Sequence, residues 1–408
     1  MGREQIKLTF VGDVMCEADQ IIEHKIGEDE FDFNGVFSDC AEYFSNSDYV
    51  VANLETPIAG KECGYSDRKW SFNSPIEFAM ALKNAGIDLV STANNHCLDR
   101  GVKGLINTIR SLDKCNLKHI GTYADKDSKS CFIEDIHGIK IAFLSYTYGT
   151  NAFSNHNYLS KNEKYMVNLF QEQELSNWFT RKCYNNKAKL YSKIYRKLGS
   201  ILYTQQFKRP VYERKENDSR CKKQLLRELK ESKDKGADLI IMCMHVGGQY
   251  NDQPTKRTQK LCDFLIKHGV HVIIGNHEHV VHKSDISQIS QNIIKTYSLG
   301  NFSGKAGVNK EPYDKMSEYS IIFNIYISKN KDKVSIDTCT FSIAKSIAYE
   351  GNKIKTVLLY DLINSCKNDI EKEKLISDNR IIVNKFLDTK YSDIEFKKEY
   401  DIGKLLKL

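Results

Sequence analysis

The 408-residue sequence has no long apolar run and no leader-like beginning. A membrane-spanning helix needs roughly 18 or more consecutive apolar residues, and no stretch of the chain approaches that length. The first residues, MGREQIKLTFVGDVM, lack the apolar segment of a secretory signal and enter a strand pattern directly. We therefore expect a soluble, cytoplasmic protein without a membrane anchor.

Cysteine pairs of the C-x-x-C form are also missing. The twelve cysteines are scattered singly, and Cys97, Cys243 and Cys262 lie inside apolar runs, where cysteine serves as a small core residue. This usage favours a reducing compartment.

Neither an internal repeat nor a low-complexity linker divides the chain. A composition of 41% hydrophobic and 28% charged residues is ordinary for a soluble chain of one large or two smaller domains.

The positive charge is concentrated in one segment. Twenty Lys and Arg against nine Asp and Glu between Ser160 and Lys235 give this segment +11, which leaves −4 for the rest of a chain whose total is +7. Residues 151–235 are rich in Tyr, Lys and Asn and interrupt the alternation of strands and helices. We predict a basic insertion here, with helices over 187–202 and 221–235. Its charge suits either a lid that binds a polyanion or a solvated surface.

Histidines follow two of the predicted strands directly. The apolar runs 238–244 and 270–274 have the length of buried parallel strands, and residues 255–268 between them have a helical pattern that ends at a glycine. Such a unit forms its ligand crevice at the carboxyl ends of its strands. The histidines at these ends are His245, His277 and His279. Their placement favours metal ligation over a histidine-rich surface loop.

Polar side chains also follow three strands predicted in the N-terminal third of the chain. These strands cover 7–11, 48–52 and 87–93. The side chains beyond their ends are Asp13, Asn53, Glu55, Asn94, Asn95 and His96. Each residue alone is explained as well by an ordinary turn or cap. Donors that recur at the ends of five strands favour one shared site.

The remaining pattern predicts the elements around this frame. A helix begins at Ser74, with Pro75 in its first position and Glu77 three residues after the cap. A second helix is predicted over 102–115, followed by a hairpin of strands 131–136 and 139–146 that turns at His137-Gly138. Further strands are predicted over 292–299, 319–327 and 334–343, the last two of them antiparallel. After Tyr360 the pattern predicts charged helices and then a weakly packed tail over 388–408.

The candidate ligands form a mixed set of nitrogen and oxygen donors. Such a set suits Mn, Fe or Zn better than Ca or Mg, which prefer oxygen alone. The donors exceed one tetrahedral site, so we expect one or two ions. Two ions about 3.5–4 Å apart would lower the pKa of a bound water toward ~7 and hold both oxygens of a phosphoryl-type displacement.

Six motifs, in this order, match a known family. They are GDVM, NLETPI, NSPIEFAMALKNAGIDLVSTANNHCLDRG, HVGGQY, GNHEH and YSLGNF. Between residues 5 and 305 the chain resembles the CapA-type poly-γ-glutamate capsule biosynthesis proteins, a branch of the calcineurin-like metallophosphoesterase fold. The resemblance implies an α/β protein, a four-layer α-β-β-α sandwich over residues 1–350. The basic insertion at about 151–235 interrupts this domain, and a C-terminal helical extension over 351–408 follows it.

The resemblance also implies roles for individual residues. The implied metal ligands are Asp13 and His279 for one ion, Glu55 as the bridge, and Asn95, His245 and His277 for the other ion. His96 would be the catalytic histidine that stabilises or protonates the leaving oxygen. The implied substrate contacts are Asn53, Asn94, Gln249, Tyr250 and Asn301.

Three departures from the family pattern bear on these roles. Met15 stands where phosphoesterases have a histidine ligand, as it does in the CapA branch, and this weakens the first ion site. Glu55 replaces an Asp and moves the bridge by one methylene group. Gln249 and Val246 stand where the branch usually has Glu and Trp, so we expect a changed or lost substrate contact.

Three functions are compatible with these observations. The first is a role in poly-γ-glutamate capsule biosynthesis or processing, in which a metal-containing crevice binds the anionic polymer. The second is a metal-dependent phosphoesterase that hydrolyses a phosphate ester with a metal-activated water. The third is a non-catalytic binding protein whose metal site has decayed. The expected partner is an anionic polymer or a phosphate-containing substrate; nucleic acid is not expected, and the oligomeric state stays open.

Overall fold

Residues 5–67, 70–127, 131–173, 210–304, 316–331 and 333–407 are described by a computed structural model of the protein. The strands, in chain order, are β1 (Gln5–Val14), β2 (Tyr49–Leu54), β3 (Leu89–Ser91), β4 (Lys118–Ile120), β5 (Phe132–Ile136), β6 (Ile139–Thr147), β7 (Leu239–His245), β8 (Val272–Asn276), β9 (Ser284–Gln288), β10 (Ile293–Thr296), β11 (Asn301–Ser303), β12 (Tyr319–Asn330), β13 (Lys333–Tyr349), β14 (Lys353–Leu358) and β15 (Tyr400–Asp401). They form two sheets.

The first sheet has the strand order β14-β13-β12-β1-β2-β3-β4. Strands β1 to β4 are parallel, whereas β12, β13 and β14 are antiparallel neighbours on the other side of β1. Short β11 pairs with the end of β1, and β15 pairs with β13. The parallel half therefore presents the carboxyl ends of β1, β2 and β3 along one edge.

The second sheet has the order β5-β6-β7-β8-β10-β9. Its four central strands are parallel, and β5 and β9 close its edges in antiparallel pairs. Every residue of β7, LIIMCMH, is buried, and so is every residue of β8. Layers on both faces of a parallel sheet exclude water, which explains why these strands are continuous apolar runs rather than alternating ones.

Helices cover the outer faces of both sheets. They are α1 (Ala18–Glu23), α2 (Asn34–Phe44), α3 (Ile76–Asn84), α4 (Gly101–Lys114), α5 (Ala152–Asn155), α6 (Arg220–Asp234), α7 (Lys256–Lys267), α8 (Leu359–Ser365), α9 (Asp369–Leu387) and α10 (Ile402–Leu406). Phe37 of α2 and Phe78 of α3 pack on the first sheet, and Leu229 of α6 and Leu265 of α7 pack on the second. Among the described residues, no helix is long and apolar enough to cross a membrane.

The main core lies between the two sheets. Phe10 and Val51 from the first sheet and Phe143 and Ile241 from the second belong to one cluster of buried side chains. Full burial of an aliphatic or aromatic side chain of this size contributes about 1.5–3 kcal/mol. With helices outside both sheets, the layer order is α-β-β-α. The predicted four-layer sandwich is confirmed.

One predicted helix start is wrong. Helix α3 begins at Ile76, its cap position is Pro75, and no side chain caps it. The hydroxyl of Ser74 is buried and instead shares a 2.8 Å hydrogen bond with the hydroxyl of Thr56, in the loop after β2. Ser74 therefore ties the helix entrance to the end of a strand and does not cap the helix.

The C-terminal residues belong partly to the first sheet. Strand β14 pairs antiparallel with β13, so the expected boundary at residue 350 falls inside a hairpin. The predicted weakly packed tail over 388–408 is wrong only near its end: residues 388–399 are mostly exposed, but Tyr400 and Ile402 are fully buried against the sheet. Apolar side chains spaced singly among charged ones concealed this packing from the sequence pattern.

The basic insertion is described only at its two ends. The predicted helix 187–202 lies outside the described residues, whereas the helix predicted over 221–235 is α6. Because α6 connects parallel β6 and β7 and packs on the second sheet, it is part of the sandwich rather than an addition to it. Before the undescribed stretch, Val167 forms a bridge with Thr122 and Leu169 forms one with Thr147.

Candidate metal centre

The carboxyl ends of five parallel strands meet at one place between the two sheets. Strands β1, β2 and β3 come from the first sheet, and β7 and β8 come from the second. The side chains at this place that were predicted as metal ligands are Asp13, Glu55, Asn95, His245, His277 and His279, all of them buried. Their positions bring together residues as far as 266 positions apart in the chain, namely Asp13 and His279.

One group of donors surrounds Nε2 of His245. Oδ1 of Asn95 lies 2.6 Å from this atom, Nδ1 of His277 lies 3.1 Å from it, and Oε1 of Glu55 lies 3.2 Å from it. Donor atoms bound to one tetrahedral ion are separated by roughly 3.4 Å when the bonds are about 2.1 Å long. The four atoms are therefore arranged closely enough to bind a single ion.

A second group of donors shares Glu55 with the first. Ligand atoms of Asp13, Glu55 and His279 all lie within 4.8 Å of one another, as do those of Glu55, His245 and His277. Nε2 of His279 is 3.9 Å from the same Oε1 of Glu55 that approaches His245. Glu55 therefore stands between two triads, the position of a carboxylate that bridges two ions.

The hydrogen bonding of Glu55 tests whether a cation fits. Its side chain is 0% exposed, and neither carboxylate oxygen has a hydrogen-bond partner among the described residues. A buried carboxylate normally has several partners, because desolvation without compensation is costly. A cation bound between the triads would supply this compensation. The residues present therefore fit a metal centre, although they do not identify the metal.

The charges within the cluster compensate one another. Burial opposes the ionisation of Asp13, yet the hydrogen bond with His279 and the charges of His245 and His279 hold the pKa of its carboxyl below the usual value. Burial also opposes the charging of His279, but Glu55 and Asp13 outweigh it and raise the pKa to about 9. Burial, reinforced by His245, holds the pKa of His277 well below its usual value. His277 is therefore neutral and ready to act as a ligand.

Backbone geometry at the site is unusual. His277 and His279 have φ angles of 96° and 60°, and Tyr250 in the neighbouring loop has a φ of 61°. Positive φ is uncommon for residues other than glycine and clusters at functional sites. With this backbone the ring centroids of His277 and His279 lie 5.8 Å apart.

A glycine makes the approach of Asp13 possible. A Cβ atom on Gly12 would lie 1.9 Å from the carbonyl oxygen of Gly300, so no other residue fits between β1 and β11. The N–H of Asp13 donates to that same carbonyl at 2.9 Å. Residues 12–14 continue β1 beyond the end predicted at residue 11, so no turn precedes Asp13. The glycine serves close packing of the backbone rather than a turn.

Three of the expected substrate contacts lie beneath the ligands. Asn53 donates to Oδ1 of Asp13 at 2.7 Å and lies 3.2 Å from Nδ1 of His245. Oδ1 of Asn301 lies 2.9 Å from Nδ1 of His279, which directs Nε2 of this ring toward Glu55. Asn94 binds the carbonyl of Leu54 and the N–H of His96. All three are about 1% exposed, and their role in substrate binding stays a prediction.

Gln249 and Tyr250 lie at the mouth of the centre, over His279. Nε2 of Gln249 is 3.5 Å from Nε2 of His279, and the ring of Tyr250 lies 5.5 Å from that imidazole. Gln249 is exposed and Tyr250 is half-buried, so a ligand in the crevice can reach both. Their role in substrate binding stays a prediction.

His96 lies beside the metal centre and is oriented by Asp99. Nδ1 of His96 donates to Oδ2 of Asp99 at 2.7 Å, and the ring packs on Phe72 with centroids 4.4 Å apart. The same carboxylate oxygen accepts the N–H of Phe72 at 2.8 Å. This arrangement leaves Nε2 of His96 as the nitrogen that can exchange a proton with a substrate, as the expected catalytic role requires.

Two buried acidic residues near the centre were not predicted from the sequence. Asp99 stands three positions after His96 in the quoted LDRG motif, and this spacing within a turn was a usable signal. Glu278, between the two histidine ligands, is 0% exposed and lies against Gly247. Burial raises the pKa of its carboxyl to about 7. No sequence feature distinguished Glu278 from a surface glutamate.

Comparison with known proteins adds a family and two relatives. The family model described as "Bacterial capsule synthesis protein PGA_cap" matches residues 7–305. "Capsule biosynthesis protein CapA" of Bacillus anthracis is 26% identical over 327 residues, which are 78% of this chain and 64% of that protein. "PGA biosynthesis protein CapA" of Bacillus subtilis (strain 168) is 24% identical over 302 residues, 73% of this chain and 63% of that protein. The matched region thus spans less than two thirds of each relative.

A solved structure was also found by comparison of folds. The crystal structure of calcineurin-like phosphoesterase YfkN from Bacillus subtilis aligns with 92% of this chain and 97% of that chain. The TM-score is 0.43 and the sequence identity is 12%.

Proposed function

Because the chain belongs to the PGA_cap family of bacterial capsule synthesis proteins, we propose that it acts in the synthesis or processing of a poly-γ-glutamate capsule polymer. The names of the two CapA relatives support this assignment, although the chain covers less than two thirds of either. In our proposal the anionic polymer binds at the metal centre, where cations offset the repulsion between its carboxylates and those of Asp13 and Glu55.

The observation that carries the proposal is the position of Glu55. One buried carboxylate, which accepts no hydrogen bond from any residue that the structure describes, is shared by two triads, each with one or two imidazoles. A protein that merely retained the fold would not need to keep a buried carboxylate that accepts no hydrogen bond from the described residues. We infer that the triads bind divalent ions, with Mn, Fe or Zn preferred by the mixture of nitrogen and oxygen donors.

The bound ions would supply a Lewis acid and an activated water to a hydrolytic or transfer reaction. The chain's own residues do the rest in our proposal. His96, whose Nδ1 is held by Asp99, donates a proton from Nε2 to the leaving group. Gln249 and Tyr250 orient the substrate above His279. Asn53 and Asn301 keep the ligand side chains in place.

A metal-dependent phosphoesterase is the second candidate function. The observation that favours it is the pairing of His96 with Asp99 beside two triads, because a binding protein has no use for an oriented proton donor. Phosphate oxygens are also suitable ligands for two ions held by a common carboxylate. The third possibility, a binding protein with a decayed centre, predicts metal-free protein.

Metal content and ligand binding together test the proposed function. The purified chain is analysed for Mn, Fe and Zn, then titrated with γ-linked glutamate oligomers, before and after treatment with a chelator. We expect bound metal and oligomer binding that the chelator abolishes. Metal with no oligomer binding, together with hydrolysis of a generic phosphodiester, would favour the second candidate. Absence of metal would contradict both enzymatic assignments.

A further inference from the structure

A cavity of about 240 Å³ lies beside the metal centre. Its lining includes aromatic and aliphatic side chains, with the amide of Gln171 and the guanidinium of Arg257 at one side. The residues that matter here are Tyr148, Phe170, Gln171, Val246, Arg257 and Leu261. Sites for drug-sized ligands measure about 300–1,000 Å³, so this cavity suits a single residue-sized group.

Tyr148 forms a wall between the cavity and the metal centre. One face of its ring lies against His277, with centroids 4.8 Å apart, while the side chain also lines the cavity. The N–H of Tyr148 donates to the carbonyl of His245 at 3.2 Å. Val246, the residue after His245, lines the cavity as well. Tyr148 and Val246 therefore belong both to the cavity lining and to the immediate surroundings of the metal ligands.

Among the described residues that line the cavity, Arg257 is the one charged side chain, and none of them is a carboxylate. Its Nη2 donates to Oε1 of Gln171 at 2.9 Å, which holds the guanidinium at the rim. Arg257 also lies in the first turn of the 12-residue helix α7, whose N-terminal N–H groups add positive potential. The electrostatics therefore favour an anionic group.

We propose that this cavity is the subsite for the unit next to the reacting bond of the polymer, and that Arg257 binds the free α-carboxylate of a γ-linked glutamate unit. The inference rests on the proposed function, because it concerns the same substrate. A γ-linked glutamate unit carries one carboxylate beside a short run of methylene groups. The methylenes pack on Tyr148, Phe170 and Leu261, and the carboxylate meets the guanidinium, whose planar fork matches it.

The test compares two ligands and three variants. The ligands are a γ-linked glutamate tetramer and the same tetramer with its α-carboxylates converted to amides. The variants are Arg257→Met, Arg257→Lys and the control Lys256→Met, which removes a charge from the same helix turn but not from the cavity lining. Binding is measured calorimetrically on Mn²⁺-loaded protein, with metal content, melting temperature and inorganic phosphate binding recorded for each.

We expect the unsubstituted protein to prefer the acid tetramer over the amide. Arg257→Met should weaken binding of the acid tetramer about tenfold and leave the amide tetramer unchanged, so the preference disappears. Arg257→Lys should restore part of the preference, and Lys256→Met should keep it. Phosphate binding and metal content should be the same in all variants, because the ions are bound elsewhere.

Two outcomes separate this inference from the proposed function. If Arg257→Met keeps the full preference for the acid tetramer, the subsite assignment is wrong and the capsule role stands. If the unsubstituted protein binds metal and phosphate but neither tetramer, the capsule role is wrong, and the subsite for a glutamate unit is rejected with it.

Discussion

Nδ1 of His277 lies 3.1 Å from Nε2 of His245 inside a cluster that solvent does not reach. Two imidazole nitrogens at this distance can share one proton or bind one cation. Burial holds the pKa of His277 well below its usual value, so this ring offers a lone pair rather than a proton. The neighbouring Glu55 carboxylate, which has no hydrogen-bond partner in the described part of the chain, adds a negative charge. The relationship between the two histidines is therefore best explained as that of two ligands of one cation.

Substitution of Glu55 by Gln should remove metal from both triads, since each depends on this carboxylate. We expect metal to raise the melting temperature of the unsubstituted protein and to have no effect on Glu55→Gln, because only a ligand that binds the folded state stabilises it. Elemental analysis and thermal unfolding with and without Mn²⁺ measure this. Glu42→Gln, at an exposed position, is the control. Full metal content in Glu55→Gln would contradict the bridging role.

Occupancy of the two triads should be unequal. The triad around His245 has Asn95 as a further donor. The triad of Asp13, Glu55 and His279 has no further imidazole, because the buried residue at position 15 is a methionine. After dialysis we expect close to one ion per chain by elemental analysis. Met15→His should raise this toward two, and Met80→His, on an exposed part of α3, should not. Two ions in the unsubstituted protein would refute the asymmetry.

Gly247 should tolerate no side chain. Its φ is 131°, and a Cβ atom would lie 2.0 Å from Oε1 of Glu278. Gly247→Ala should cost at least about 3 kcal/mol of unfolding free energy, since strain and overlap add. Gly138→Ala is the matched control, because φ is also positive there but nothing lies within 4 Å; we expect a cost of about 1–2 kcal/mol.

The contact with Glu278 can be isolated by a second substitution. Adding Glu278→Ala to Gly247→Ala should recover part of the lost stability, because it removes the overlapping carboxylate and leaves only the backbone strain. Urea denaturation of the four proteins of this double-mutant cycle measures the coupling. If the loss of unfolding free energy in the double variant equals the sum of the losses in the two single variants, the overlap is relieved in another way.

His282 should make the protein sensitive to acid. The side chain is 0% exposed and its Nε2 donates to the carbonyl of Asn251 at 2.6 Å. Burial lowers the pKa from about 6.5 to about 4. Between these pH values His282 is protonated in the unfolded chain but stays neutral in the folded chain. Stability should therefore fall as the pH falls through this window, by up to about 3 kcal/mol.

The pH dependence is measured by urea denaturation at pH 7 and pH 4.5. We expect His282→Gln, which keeps a neutral donor, to lose about 2–3 kcal/mol less between the two pH values than the unsubstituted protein. His137→Gln is the control, since that side chain is 64% exposed. Equal losses in the His282 and His137 variants would show that His282 is not responsible.

The basic segment should strengthen polymer binding in a salt-dependent manner. Residues 174–209, outside the described part of the chain, contain nine Lys and Arg and one Glu. Phe170 and Val211, on either side of this segment, line the same cavity, so a short linker can replace residues 174–209. We expect the replacement to weaken polyglutamate binding and to flatten its dependence on salt, because exposed charges act over about 8 Å at physiological ionic strength.

A control separates charge from length in this experiment. Lys187, Lys189 and Lys193 are changed to Gln in the full-length chain, which preserves the segment and removes three charges. This variant should fall between the unsubstituted protein and the linker variant in both affinity and salt dependence. Unchanged polyglutamate binding in both variants would identify the segment as a solvated surface. Binding of single-stranded DNA is measured in parallel. If only DNA binding is weakened in the variants, the segment has no connection with the capsule polymer.

The sequence by itself determined the elements that carry the site and the family. Apolar runs such as 238–244 have the length and composition of buried strands, and these are local properties. The residues that follow each run, from Asp13 to His279, could therefore be identified as candidate ligands. The order of the six motifs identified the capsule synthesis family, and the match over residues 7–305 confirms it.

Only the tertiary structure decided which of these residues touch. Asn53, Asn94 and Gln249 are similar amides after strand ends, yet the first two are buried beneath the ligands and the third is exposed at the mouth. Whether an amide supports a ligand or meets a substrate depends on the packing of the second sheet against the first. No pattern along the chain encodes that packing.

The same reason explains the features that the sequence did not reveal. Glu278 is buried because the loop after β7 closes over it, and Arg257 meets Tyr148 at one cavity although 109 positions separate them in the chain. The burial of Tyr400 likewise results from pairing with β13, about 60 residues earlier. Contacts of this kind depend on the free energy of the whole folded chain, whereas periodicity reports only what each segment prefers alone.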